Sequence, residues 1–136
     1  MGTWSYESFG NDDACDWSYE LEEVDSLSFI EATLDAVLAS GDEYLEAPEA
    51  SQAIAAAEVI ARLQGNFGVR DSYTQSVDEW VGRVKLVPPQ ELARKAHRAL
   101  VRILQGPSEL LELWQESDAG TAWITAVSDL RARIRV

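Results

Sequence analysis

The sequence predicts an all-α fold, a compact orthogonal bundle of six or seven short helices behind an extended N-terminal arm. Three observations carry that expectation. Apolar residues recur at helical spacing through most of the chain after residue 10. Gly41, Pro48, Gly65, Pro88-Pro89 and Gly106-Pro107 cut the pattern into short segments. No period-two run of β-branched residues competes with it. At 136 residues the chain fits one domain, with an arm over 1–10 and a helical bundle over 11–136.

The arm does not read as a helix. Gly2 and Gly10 frame it, and Trp4 and Tyr6 share one side at a spacing of two. Asn11 or Asp12 then caps the first helix, with acids in its first turn where the helix dipole favours them. Ala14, Trp17, Leu21 and Val24 form its apolar stripe, and Asp13, Asp16, Glu20 and Glu23 form an acidic stripe opposite. Like charges at these spacings repel, so the stripe asks for cations. The second helix is expected over 26–40, with Ser28 and Glu31 as a capping box, Gly41 as its stop, and Leu27, Ile30, Leu34, Val37 and Leu38 inward.

The third helix, 49–64, is apolar around most of its circumference and is expected to be the central, buried one. Ala53, Ala56 and Ala57 allow close approach, and Gly65 ends it. Residues 65–73 read as a loop. A fourth helix follows over 76–84, with Val77, Trp80, Val81 and Val84 inward and an interior Gly82 that weakens it. Pro89 opens the fifth helix, 89–104, whose core positions are Leu92, Ala96, Leu100, Ile103 and Leu104. Arg94, Arg98 and Arg102 make a basic stripe on it, with Lys95 alongside. Ser108 caps a short sixth helix to residue 116 carrying Leu110, Leu111 and Trp114. The last, 121–134, buries Trp123, Val127, Leu130 and Ile134 and has Arg131, Arg133 and Arg135 near its end.

Charge is distributed unevenly. Residues 1–50 hold six Asp, eight Glu and no Lys or Arg, a formal −14, whereas residues 51–136 hold ten acids and eleven bases. Binding to nucleic acid or to an anionic membrane surface needs the opposite potential and is not expected. No run is long and apolar enough to span a bilayer, no signal peptide is visible, and Cys15 alone allows no internal disulfide, so a cytoplasmic location is expected.

No catalytic residue, metal site or cofactor is called for. Asp12, Asp13, Asp16, Glu20 and Glu23 lack the alternating oxygen ligands of a calcium loop and any neighbouring His, and read as a solvated face. Neighbouring aspartates oppose the helix dipole at Cys15, so no thiolate is expected. His97, the single histidine, sits at the edge of the fifth helix's apolar face and suits packing or hydrogen bonding. Trp4, Tyr6, Phe9 and Trp17 are candidates for a pocket, or anchor the arm to the core.

The opening MGTWSYESFGNDDACDWSYEL resembles that of a family of small bacterial proteins in which Gly-x-Trp is followed by a Phe, an Asn-Asp pair, an Ala and an Asp-aromatic pair. Here these positions are Gly2, Trp4, Phe9, Asn11, Asp12, Ala14, Asp16 and Trp17. The likeness continues at AIAAAEVIARLQG, SELLELWQES and WITAVSDLRARI. The family is the domain of unknown function numbered 4259. Its usual members carry glycine where Ser5 stands, so the arm is open to a different turn here. The resemblance implies a bacterial, cytoplasmic, helical protein and brings no activity with it.

Three functional readings follow. The first is a non-enzymatic interaction module, immunity- or inhibitor-like, whose acidic stripe of Asp13, Asp16, Glu20 and Glu23 binds a basic protein surface. The second is a small ligand-binding protein or hydrolase with its pocket at the arm and first helix. The third is a structural domain that forms a homodimer. Two arrangements are open for the acidic stripe of the first helix: it faces Arg94, Arg98 and Arg102 of the fifth within one chain, or it stands apart from them and is left to another molecule.

Overall fold

The computed structural model describes residues 5–136. Among them are seven helices: α1 (Asp12–Leu21), α2 (Ser28–Leu38), α3 (Ala47–Leu63), α4 (Gln75–Val84), α5 (Gln90–Ile103), α6 (Glu109–Gln115) and α7 (Gly120–Arg133). The described residues contain no sheet; an isolated bridge joins Leu45 to Ser108. The all-α expectation holds, and none of these helices is long and apolar enough to cross a membrane.

α3 is the hub, packing against each of the other six helices. Its sequence makes this possible. Ala50, Ala53, Ala55, Ala56, Ala57 and Ala61 are all buried, and small side chains let neighbours approach from every direction. Its C-terminus is a Schellman motif: Gly65 takes φ 86°, its N–H bonds the Arg62 carbonyl, and the Asn66 N–H reaches the Ala61 carbonyl. Its N-terminus is closed from a distance, because the Ala47 N–H donates to Glu109 Oε1 at 2.7 Å.

The four described tryptophans pack in or against the core, with satisfied N–H groups or ring partners. Trp17 donates to Thr33 Oγ1 at 2.8 Å and stacks on Phe29 at 5.2 Å. Trp80 donates to the Val24 carbonyl at 2.8 Å, and Trp114 stacks on Trp123 at 6.0 Å. Gly120 is required where α7 begins, because a β-carbon there would run into the Trp114 carbonyl.

Two local expectations are corrected. Ser28 is not the cap of α2. It is the first helical residue, Leu27 holds the cap position, and no side chain caps the helix there; the Ser26 hydroxyl instead accepts from the Ser28 N–H at 3.4 Å. Ser108 does precede α6, but its hydroxyl makes no capping bond.

Of the two arrangements open to the acidic and basic stripes, the structure has them apart. α1 packs on α3 and α4, whereas α5 packs on α2, α3 and α7, and among the described residues no ion pair joins α1 to α5. α5 directs its cations elsewhere. Lys95 pairs with Glu31 at 2.9 Å and Asp35 at 3.0 Å on α2, and Arg94 reaches back to Glu91. Arg102 pins two loops by donating to the carbonyls of Gly41, Glu43, Gln105 and Pro107. Arg98 is exposed, with no ion pair among the described residues.

Candidate functional site

Two features on one side of the molecule stand out, an exposed acidic face on α1 and a cleft beside it. α1 is fixed first by its cap. Asn11 is extended, at φ −154°, and its Oδ1 accepts from the Ala14 N–H at 2.8 Å. Ala14, Trp17, Ser18 and Leu21 are then buried, which rolls Asp16, Glu20 and Glu23 into solvent and leaves Asp13 half-buried. Tyr19 projects among them, 60% exposed.

A groove of about 220 Å³ separates α1 from the start of α4, with Cys15, Ser18 and Tyr19 on one wall and Ser72, Tyr73 and Gln75 on the other. Of the fourteen carboxylates in residues 1–50, only Asp25, Glu31 and Asp35 lie within ion-pair distance of a base among the described residues. The stripe of Asp13, Asp16, Glu20 and Glu23 has none.

Beyond Tyr73 lies the cleft, about 340 Å³, between the arm, α3 and the loop before α4. The arm folds back on itself, since the Ser5 N–H bonds the Gly10 carbonyl and the Gly10 N–H the Glu7 carbonyl. Glu58 and Arg62 of α3 form the cleft's charged floor, only 3% and 2% exposed.

Glu58 accepts from Ser8 Oγ at 2.9 Å, from Arg62 Nε at 3.2 Å, and from Arg133 through two bonds of 2.8 and 2.9 Å. Arg62 also donates to Asp78 Oδ1 at 2.6 Å and to the Val69 carbonyl. Arg133 lies under Gly68, where a β-carbon would come within 2.9 Å of its guanidinium. Two carboxylates and two guanidiniums from α3, α4 and α7 therefore neutralise one another and tie the arm to the bundle.

Burial alone would raise the Glu58 carboxyl's pKa, but the bonds and charge of Arg133, with Arg62 and Ser8, outweigh it and hold it below its ordinary value. Glu7 behaves oppositely. Burial raises it first, Glu58 and Asp71 add to the rise, Arg133 opposes it, and Asp129 adds again.

The cleft was not visible at the sequence level. A signal was present, because Glu58 and Arg62 stand one helical turn apart in an otherwise apolar, buried helix. The expected pocket residues do not gather as a group. Phe9 lines the cleft, Tyr6 is largely exposed, Trp17 is in the core against Phe29, and Trp4 lies outside the described residues.

Cys15 is half-buried, its thiol donating to the Phe9 carbonyl at 3.4 Å. Burial, then Asp12, Asp16 and Asp71, raise its pKa, in line with the expectation of no thiolate. His97 Nε2 donates to the Ile134 carbonyl at 2.7 Å, a hydrogen-bonding role at the helix edge as its position predicts. Among the described residues no three His, Cys, Asp or Glu side chains come together as a metal site.

The chain matches the family model described as a domain of unknown function, DUF4259, over residues 2–126. No curated protein and no solved structure matches the chain.

Proposed function

The chain belongs to the family of the domain of unknown function DUF4259, and for this member we propose a non-enzymatic, cytoplasmic interaction module whose α1 face binds a basic protein. One observation carries the reading. The chain's bases are largely engaged with its own groups: Arg62 and Arg133 in the buried network, Lys95 on α2, Arg102 on loop carbonyls and Arg83 on Asp25. The α1 carboxylates have no such partner among the described residues.

Their repulsion has no compensating base among the described residues, and a cationic partner relieves it. The face also has the composition of a binding surface, with the exposed Tyr19 beside a shallow groove and a rim of charge around it. The negative field speeds encounter with a basic surface, as inhibitors of basic proteins require.

The test is affinity capture from the native host at low salt, with the intact chain and with a variant carrying Asp16→Asn, Glu20→Gln and Glu23→Gln. The expected result is a basic protein held by the first and absent from the second, released as ionic strength rises. Retention of the same proteins by both baits, or of none by either, overturns the reading.

A further inference from the structure

We propose that the cleft between the arm, α3 and the loop before α4 is a separate binding site for a compact organic cation, a primary ammonium or a guanidinium group. Several of the polar groups lining it are already engaged. Glu58 is engaged by Arg62, Arg133 and Ser8, and Arg62 by Glu58, Asp78 and the Val69 carbonyl. Thr74 Oγ1 donates to Asp78 Oδ2 at 3.0 Å.

Two carboxylates remain. The Glu7 carboxyl has no hydrogen-bond or ion-pair partner among the described residues. Asp71 uses Oδ1 to accept from the backbone N–H groups of Tyr73 and Thr74, which fixes its rotamer and leaves Oδ2 without a partner among the described residues. Phe9 and Val69 supply apolar wall. Glu7, Glu58 and Asp71 against Arg62 leave the lining with a net negative charge, so an anionic ligand is disfavoured. The absence of a third free carboxylate, His or Cys disfavours a metal ion. An alkyl stem ending in a cation matches the apolar wall and the two acids together.

The ionised form of Glu7 is the one that binds. The groups acting on it are Glu58 from α3, Asp71 from the loop, and Arg133 and Asp129 from α7. Burial, Glu58 and Asp71 favour its proton, so a bound cation competes with that proton and affinity rises with pH through the Glu7 titration.

The same chemistry has two sources, a free amine or a lysine side chain of another protein, and the experiment separates them. The backbone amides of Ser8, Gly10, Asp71 and Thr74 are followed by NMR while n-butylammonium, N-acetyl-lysine methylamide or neutral 1-butanol is added to the full chain. Saturable shifts with the two cations and not with the alcohol are expected, weakened about tenfold or more in Glu7→Gln/Asp71→Asn. Tighter binding of the lysine derivative assigns the source to a side chain, and tighter binding of the free amine assigns it to a small molecule.

Glu7→Gln alone provides the same comparison if the double variant does not fold. No saturable shift with either cation, or shifts undiminished by the substitutions, overturns the proposal. The α1 stripe is intact in these variants, so failure here is distinct from failure of the protein-binding reading.

Discussion

Glu58 shows at the scale of one residue how the buried charges are held. It is enclosed with Arg62 and Arg133, and removing its charge leaves two guanidiniums sharing too few acceptors. Glu58→Gln is therefore expected to cost on the order of 3 kcal/mol in a denaturant melt. The pH dependence has a definite sign. The folded carboxyl titrates below its ordinary value of 4.5, so its contribution is present above that value and is lost as pH falls through the lower, folded one. Melts from pH 7 to pH 3 check this, and the Gln variant lacks that component of the acid loss. Glu7 has the opposite sign, because its raised pKa means the ionised form opposes folding. Glu7→Gln is expected to be at least as stable as the parent at pH 7, with the difference closing as pH falls below the ordinary carboxylate range. The burial of Glu58 and Arg62 was half legible. The sequence placed both on a helix apolar around most of its circumference, but their partners Asp78 and Arg133 lie on other helices and only the fold brings them together.

Periodicity identified most of the elements and their inward faces, because a side chain's place on a helix follows from the 3.6-residue repeat alone. The α1 cap was legible to within one residue, Asn11 or Asp12, and with Asn11 holding it, Asn11→Ala is expected to lower stability by about 1 kcal/mol in a thermal melt. What periodicity does not encode is which neighbour a polar face meets. α1 and α5 carry complementary stripes, yet α5 turns Lys95 toward α2 and spends Arg102 on four loop carbonyls. Arg98→Gln is accordingly expected to melt within about 0.5 kcal/mol of the parent, as befits an exposed side chain with no ion pair among the described residues. Ser28 and Glu31 had the spacing of a capping box, but the chain enters α2 through Leu27 in helical conformation, where a side-chain cap has no extended residue to sit on.

The whole molecule has a net charge of −13, and its first fifty residues hold no base. The fold concentrates that imbalance. Bases from the rest of the chain fill the interior network and pin loops, while α1 presents its acids beside Tyr19 and the groove toward α4. The charge was legible in the sequence; the groove was not, because α1 and the 72–75 segment are far apart in the chain. The cleft was missed for a similar reason, since arm, α3 and loop meet only after α3 is wrapped on all sides.

The most direct test of the acidic face is calorimetric titration of the basic protein recovered by capture. It is run against the intact chain and against Asp16→Asn/Glu20→Gln/Glu23→Gln, each at low and at physiological salt. We expect the variant to bind about tenfold to a hundredfold more weakly at low salt, and the gap to narrow as salt is added. Equal affinity for the two chains, or an affinity indifferent to salt, would contradict the assignment of the α1 face as the binding surface.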